Sequence, residues 1–295
     1  MKVLITGAAG QLGLALTRTQ PSNVQVVRLA RAELDITDPN ALLAVLTLHK
    51  PNVVINAAAY TLVDQAQSDP QSAEQVNAVA PGAIALACHR AQARLIHVST
   101  DYVFDGTAHQ PYLPESTTQP LGVYGASKRR GEIAVLQALG TDALVVRSSW
   151  LYAATARNFL TRMLELMRER PQLKIVMDQI GAPTLADDLA QALWTLTDGR
   201  LNGIQHWCNS GVASWYDFAV AIAEEAHTRG LLAQIPSLLP IISADYPTPA
   251  VRPHFSVLDK RRTEVALGVV APHWRSSLRC ALDTLTPTLT LGRPS

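Results

Sequence analysis

The chain has 295 residues, a formal net charge of +1, 48% hydrophobic residues and only 5% aromatic ones. This length is enough for about two domains, and a net charge near zero gives no indication of a nucleic acid or membrane partner. Three widely spaced cysteines without a Cys-x-x-Cys motif indicate reduced thiols in a cytoplasmic protein, and no apolar run reaches transmembrane length.

A glycine-rich turn follows the first predicted strand, Lys2–Thr6. Gly7, Gly10 and Gly13 are spaced three apart, and a helix is predicted to follow them. Glycine permits a tight turn and a close backbone approach to a pyrophosphate, and the free N–H groups at a helix start attract that anion. The turn therefore predicts a nucleotide site, with a tight turn that binds no ligand as the alternative.

The second predicted strand, residues 24–29, ends beside Arg28 and Arg31. At this place in a dinucleotide-binding fold, an acidic residue binds the ribose of NAD, whereas arginines suit the 2′-phosphate of NADP. We therefore predict NADPH as the cofactor and keep NADH as an alternative, since Glu33 and Asp35 follow closely. Two arginines on a solvated loop would give the same pattern.

Strands predicted at residues 51–56, 94–99 and 143–147 alternate with helices. This alternation predicts an α/β fold, a Rossmann-like doubly wound parallel sheet. The small residues at 57–59 leave room for a flat cofactor, and we interpret His97, in the middle of a strand, as structural. We assign residues 1–150 to an NAD(P)-binding domain. Residues 151–295 form mainly a smaller, discontinuous α/β substrate-binding domain, from which a segment at about 172–184 returns to the first sheet.

Candidate catalytic residues follow the fourth strand. Thr100 and Asp101 stand at its carboxyl end, where ligands of such sheets bind. Tyr124 and Lys128 are four residues apart, so they share a helix face. We expect the Lys128 ammonium to lower the pKa of the Tyr124 phenol and make it a usable acid or base. Such a pair is common by chance, but it carries more weight after a glycine-rich turn.

The chain resembles the extended short-chain dehydrogenase/reductases and, among them, the family of dTDP-4-dehydrorhamnose reductases. The resemblance covers most of the chain. It rests on the motifs at residues 7–13, 56–61, 63–64, 99–106, 147–152, 158–159, 178–184 and 246–253. It implies reduction of the 4-keto group of a dTDP-sugar, with Thr100, Tyr124 and Lys128 as catalytic residues.

The resemblance also implies the binding residues. The implied cofactor contacts are Gly7, Gly10, Gln11, Leu12, Gly13, Arg28, Arg31, Asp35, Ile36, Ala58, Ala59, Tyr60, Tyr124 and Lys128. The implied substrate contacts are Thr100, Asp101, Trp150, Asn158 and Arg252. Some relatives dimerise through a magnesium site, but Ala15 stands in place of one of its glutamates, so we predict no metal and either a monomer or a homodimer.

The chain departs from the family pattern at Gln65, Gln67, Gly122 and Arg129-Arg130, the last two of which stand just before and on the catalytic helix. Gly122 replaces a frequent asparagine just before that helix, and Gln67 replaces a frequent glutamate. None of these departures removes a catalytic group, although Gly122 is expected to loosen the loop that carries Tyr124.

The alternatives are other nucleotide-sugar enzymes and a binding subunit. The related dehydratases carry Asp-Glu after the catalytic threonine, where this chain has Asp101 and Tyr102, and the related epimerase-reductases use a Cys/His pair that has no counterpart here. A non-catalytic regulatory subunit, as in methionine adenosyltransferase, resembles this family too. The presence of Thr100, Tyr124 and Lys128 together favours an enzyme.

Overall fold

A computed structural model describes residues 1–285 of the chain. The tail predicted to be frayed, residues 289–295, lies outside the described residues. The strands within the described residues are β1 Lys2–Thr6, β2 Gln25–Leu29, β3 Val53–Asn56, β4 Arg94–Thr100, β5 Ala143–Ser148, β6 Leu151–Tyr152, β7 Gln172–Val176, β8 Ile180–Gly181, β9 Thr184–Leu185, β10 Gly203–His206, β11 Ala213–Ser214 and β12 Ser237–Ile241.

The α-helices within the same residues connect these strands. They are α1 Gln11–Arg18, α2 Pro39–His49, α3 Val63–Ser68, α4 Pro70–Glu74, α5 Ala80–Ala91, α6 Val123–Leu139, α7 Phe159–Glu169, α8 Ala186–Leu196, α9 Trp215–Thr228, α10 Arg261–Leu267 and α11 Trp274–Asp283. A π-helical segment, Gln75–Val79, joins α4 to α5. Within residues 1–285, none of the helices combines the length and the apolarity needed to cross a membrane.

Six parallel strands form the central sheet in the order β10-β5-β4-β3-β1-β2. The chain leaves β1 toward β2 on one side and continues to β3 on the other side. The strand order therefore reverses beside β1, and the carboxyl ends of β1 and β3 open the crevice in which such sheets bind ligands. The predicted doubly wound α/β fold is confirmed.

Alternating residues of the central strands supply two separate cores. Val3 and Ile5 of β1 pack with α1 and α8 on one face, whereas Leu4 packs with α2, α5 and α6 on the other. Strands buried on both faces are nearly all apolar for this reason. Helices on both faces fix the strands, so their carboxyl ends form a rigid edge.

The prediction that residues 172–184 return to the central sheet is wrong. β7 pairs with β12, β8 with β11 and β9 with β6, each in a separate two-stranded sheet. The added sixth strand is β10, which lies in parallel beside β5. β7 and β10 are both short strands, and their sequences do not reveal which neighbour each one pairs with.

A further core, built by α7, α9 and α11 around β7, lies in the second half of the chain. The first turn of α7 is fixed by a capping box, in which the Asn158 side chain accepts from Thr161 N and the Thr161 hydroxyl accepts from Asn158 N. Since β10 and α8 from this half join the first sheet and its core, a single cut at residue 150 does not separate the two units. The division into two domains remains a prediction.

Candidate active site

The glycine-rich turn seats β1 and α1 directly against the next strand end. Gly7 has φ +69°, and a Cβ on it would lie 2.6 Å from Ala58 N. A Cβ on Gly13 would lie 2.4 Å from the Gly7 carbonyl oxygen. Gly10, the N-cap residue of α1, supplies no capping side chain. The first turn of α1 therefore presents backbone N–H groups, the donors that a pyrophosphate requires.

A cleft of about 770 Å³ opens at the carboxyl edge of the sheet, between this turn and the second half of the chain. Most of the residues predicted from the sequence line it, and their roles remain predictions. These residues are Gly7, Gly10, Gln11, Leu12, Arg31, Asp35, Ile36, Ala58, Ala59, Tyr60, Thr100, Asp101, Tyr124, Lys128, Trp150 and Asn158.

The cleft fits a dinucleotide such as NADPH. Its glycine turn places the uncapped start of α1, with free backbone N–H groups, at the cleft. The hydroxyls of Tyr60 and Ser148, which line the cleft, are buried without a hydrogen-bond partner among the described residues. Buried polar atoms are normally paired, so these two hydroxyls are available to a ligand.

Three of the predicted site residues do not line the cleft. Gly13 instead allows the close packing of α1 described above. Arg28 is turned away, because its side chain donates to the Thr17 hydroxyl and to Gln20. Of the two predicted arginines Arg31 lines the cleft and Arg28 does not, so Arg31 is the better placed for a 2′-phosphate, and that contact stays a prediction.

Arg252 is the third of these residues. Its guanidinium forms a two-point ion pair with Asp64 of α3, with N–O distances of 3.0 and 2.8 Å. The guanidinium is thus already engaged in an internal ion pair, and its contact with a substrate diphosphate stays a prediction. Arg157, which sequence reasoning missed, lines the cleft with an exposed guanidinium that has no side-chain partner within residues 1–285.

Tyr124 and Lys128 lie on the first two turns of α6. Lys128 is buried, and its Nζ donates to the Val98 carbonyl oxygen at 2.7 Å. Burial lowers the pKa of Lys128 to about 8, while the neighbouring Glu132 carboxylate opposes this shift. The lysine is therefore a cation at neutral pH that loses its charge only a little above that.

The phenol of Tyr124 is a protonated donor at neutral pH. Burial raises the pKa of Tyr124 to about 12, and a hydrogen bond with Thr100 acts in the opposite direction. The pKa of Tyr124 is raised and not lowered as the sequence predicted, because burial is the largest influence on the phenol. A phenol held in this form is suited to give up a proton to a developing oxyanion.

Thr100 and Asp101 complete this side of the cleft. The Thr100 hydroxyl donates to Asp101 Oδ1 at 3.0 Å and accepts from Tyr102 N. Burial raises the pKa of Asp101 to about 6, although the hydroxyls of Ser256 and Thr100 lower it in part. The carboxylate is thus ionised at neutral pH and able to accept hydrogen bonds from a sugar.

A buried ion pair behind the site was not predicted. Glu132 accepts from both Arg147 Nε and the Arg147 terminal nitrogen, each at 2.8 Å, and from the Ser99 hydroxyl at 2.6 Å. These contacts join α6, β5 and the end of β4 beside Thr100. The four-residue spacing of Glu132 from Lys128 was the only signal in the sequence.

Asn77, in the π-helical segment, was also missed. Its Oδ1 accepts from Tyr60 N at 2.9 Å, and its Nδ2 donates to the Tyr60 carbonyl oxygen and to the Ser127 hydroxyl. The amide thereby fixes the loop that follows β3 to the helix that carries Lys128.

Aromatic rings form the wall of the cleft on the side of the second half of the chain. The rings of Trp150 and Trp215 are parallel, with centroids 3.5 Å apart. Trp150 has φ +47°, and its ring covers Gly181, on which a Cβ would meet the ring at 2.6 Å. The Trp215 indole N–H donates to Gln179 Oε1 at 3.2 Å. Trp215 was not predicted as a site residue, because its partner lies 65 positions earlier in the chain.

Asn158 lines the cleft, but its side chain has structural partners. Its Oδ1 caps α7 by accepting from Thr161 N, and its Nδ2 donates to the Ala153 carbonyl oxygen at 2.7 Å. These bonds hold the loop that presents Arg157.

Comparisons with known proteins agree with this geometry. The family model described as the RmlD substrate binding domain matches residues 1–286. A dTDP-4-dehydrorhamnose reductase of Burkholderia thailandensis is 43% identical over 97% of this chain and all of the relative. A probable dTDP-4,6-dihydroxy-2-methyloxan-3-one 4-ketoreductase of Streptomyces antibioticus is 42% identical over 97% of this chain and 96% of the relative.

A solved structure shares the fold over nearly the whole chain. It is the dTDP-4-dehydrorhamnose reductase of Bacillus anthracis in complex with NADP, with a TM-score of 0.91 and 32% identity. The match covers 96% of this chain and 99% of that one.

Proposed function

Because this chain belongs to the RmlD substrate-binding-domain family, we propose that it acts as a dTDP-4-dehydrorhamnose reductase that uses NADPH. It reduces the 4-keto group of dTDP-4-dehydro-L-rhamnose and forms dTDP-L-rhamnose. The observation that carries this function is the meeting of Thr100, Tyr124 and Lys128 with the glycine-rich turn in one cleft. The protein works in the cytoplasm, as a monomer or a homodimer.

NADPH, when bound, supplies the hydride that the carbonyl carbon accepts. The residues of the chain orient the reactants and supply the proton. Tyr124 donates its phenol proton to the keto oxygen as negative charge develops there. The Thr100 hydroxyl, which lines the same cleft, turns from Asp101 to donate to the same oxygen and stabilises the charge.

Lys128 holds the cofactor ribose through its ammonium group. Its burial and its hydrogen bond to the Val98 carbonyl oxygen fix the position of the ammonium group at the edge of the sheet. The positive charge also favours the phenolate that Tyr124 becomes after it gives up its proton.

The rest of the cofactor site follows the carboxyl edge of the sheet. The pyrophosphate binds at the turn of Gly7 and Gly10 and at the start of α1, the 2′-phosphate at Arg31, and the adenosine beside Asp35 and Ile36. The loop at residues 58–60 lies along the cleft between these groups and Lys128.

The nucleotide sugar binds on the opposite side. Asp101 accepts hydrogen bonds from the sugar. The stacked rings of Trp150 and Trp215 form one wall of the pocket for the sugar nucleotide. Arg157 supplies the positive charge for the diphosphate, in place of Arg252, whose charge is matched by Asp64.

Turnover assays with purified protein test this function. We expect NADPH to be consumed with dTDP-4-dehydro-L-rhamnose, more slowly with NADH, and much more slowly with GDP- and UDP-linked keto-sugars. If NADPH were consumed only with another dTDP-keto-sugar, the protein would still be a reductase, but its substrate would be that other sugar. Binding of NADPH without turnover of any keto-sugar would contradict an enzyme and favour a regulatory subunit.

A further inference from the structure

The helix that carries Tyr124 begins without a cap of its own. Gly122 is the N-cap residue of α6, with extended backbone at φ −143° and ψ 172°, and it provides no side-chain acceptor. Helices normally begin at Ser, Thr, Asp or Asn, whose side-chain oxygen satisfies one of the free N–H groups of the first turn. Tyr124 is the second residue of this uncapped turn, so its position depends on how well the turn is held.

The missing acceptor comes from a different helix. Gln67 of α3 accepts from Val123 N through its Oε1 at 3.1 Å, although the two residues are 56 positions apart. The Gln67 Nε2 lies 3.5 Å from the point that a Cβ on Gly122 would occupy. The glutamine amide thus stands where a capping side chain at position 122 would stand.

The first turn of α6 is seated tightly against the segment that follows Thr100. A Cβ on Gly125 would lie 2.1 Å from the Tyr102 carbonyl oxygen, so glycine is required there. The rings of Tyr102 and Tyr124 meet edge to face, with centroids 5.8 Å apart. A small fraying of this turn would move the phenol away from Thr100.

We propose that Gln67 is a positioning residue: its side-chain amide caps α6 and thereby holds the Tyr124 phenol at Thr100. The inference rests on the proposed reductase function. It acts on the proton donor alone, because Lys128 lies one turn farther along and has its own anchor at the Val98 carbonyl oxygen.

Helix α3 is itself fixed and can serve as a platform for this cap. Asp64, one turn before Gln67, accepts from the Arg252 guanidinium at two points and from Ala250 N. The cap is therefore supported by an ion pair to the loop at residues 248–252.

Gln67→Ala tests the proposal, and Gln67→Ala combined with Gly122→Asn is the matched rescue. The asparagine supplies a local acceptor for the same turn, and its Cβ has room, since the nearest atom at 3.5 Å belongs to the side chain that has been removed. Gln65→Ala is the control: Gln65 lies on the same helix and is exposed, and its side chain has no hydrogen-bond partner within residues 1–285.

Kinetics separate positioning from a general structural role. We expect Gln67→Ala to lower kcat about fivefold, the rate factor that corresponds to the usual free-energy cost of losing a helix cap. The Kd for NADPH should be unchanged. The double variant should recover kcat to within about twofold of the wild type, and the kcat of Gln65→Ala should equal that of the wild type. A wild-type kcat in Gln67→Ala would overturn the proposal, and so would a joint loss of kcat and NADPH affinity that Gly122→Asn does not repair.

Hydrogen exchange provides a readout that needs no substrate. In Gln67→Ala, the amides of Val123 and Ala126 should exchange faster, because Val123 loses its acceptor and Ala126 N forms the first intrahelical bond, to Gly122 O. The double variant should restore the protection of Ala126. If the wild type fails to turn over the dTDP-sugar, the proposed function fails by itself, and unchanged exchange in Gln67→Ala would separately refute the cap.

Discussion

Two buried charges with shifted pKa values face the same cleft from different elements. Lys128, on α6, loses its charge near pH 8, and Asp101, at the end of β4, gains its charge near pH 6. Both shifts arise from burial, which disfavours the charged form of each group. Lys128 and Asp101 are therefore both charged only between these two pH values.

The pH dependence of kcat/KM should reflect this window. The lysine is charged below its pKa and the aspartate above its pKa, so we expect a plateau between about pH 6 and about pH 8, with a decline on either side. In Asp101→Asn the decline on the acidic side should disappear. A profile that stays flat from pH 5 to about pH 10 would contradict the assignment of both groups.

Arg31 and Arg28 form a natural pair for testing cofactor choice. Arg31 lines the cleft, whereas the Arg28 guanidinium is bonded to α1. A charge-assisted bond to the 2′-phosphate predicts that Arg31→Ala weakens NADPH binding by roughly tenfold or more and leaves NADH binding nearly unchanged. Arg28→Ala is the control and should change neither Kd. Equal losses for both cofactors in Arg31→Ala would refute the 2′-phosphate contact.

At the scale of elements, the aromatic wall of the cleft depends on the contact between the segment after β5 and the start of α9. Trp150 is covered by Gly181 on one side and by Trp215 on the other. Trp215 is in turn held by Gln179 and packs against Phe159, with centroids 4.6 Å apart. The orientation of the Trp150 indole is therefore imposed by its neighbours on β8 and α9.

Trp215→Ala should loosen this wall without disturbing the cofactor. Aromatic pairs contribute about 0.5–1.5 kcal/mol, so we expect the KM for the nucleotide sugar to rise by about two- to tenfold. The Kd for NADPH should stay constant. The KM of Trp215→Phe for the nucleotide sugar should lie between those of Trp215→Ala and the wild type. A changed NADPH affinity with a constant KM would place the tryptophan pair on the cofactor side instead.

Local patterns predicted the parts of the site that are close in sequence. The turn from Gly7 to Gly13 and the spacing of Tyr124 and Lys128 each lie within one strand–turn–helix unit or one helix, so sequence reasoning found them. The bond between Asn77 and Tyr60, the pair of Glu132 and Arg147, and the stack of Trp150 and Trp215 join residues 15 to 65 positions apart. Their partners are chosen by the fold, and no periodicity reveals them.

The same limit explains the errors at the scale of the whole molecule. Residues 172–176 and residues 203–206 are both short strands, and only the assembled sheet shows that the second of them joins β5. Arg28 stands on the strand that leads to the cofactor site, yet its side chain points away from it. The local sequence determines whether a segment is a helix or a strand. The strand that it pairs with, and the direction of a long side chain, depend on the rest of the fold.

The whole fold brings one proton donor to the carboxyl edge of the sheet, and Tyr124→Phe tests that claim most directly. The change removes only the hydroxyl, so the variant should fold and bind NADPH as the wild type does. General acid catalysis predicts that kcat falls by about 10²–10⁴. Tyr112→Phe, whose hydroxyl is bonded to Asp105 outside the cleft, is the control for losing a phenol hydroxyl. A Tyr124→Phe protein that binds NADPH normally and still reduces the dTDP-sugar at the wild-type rate would contradict the account.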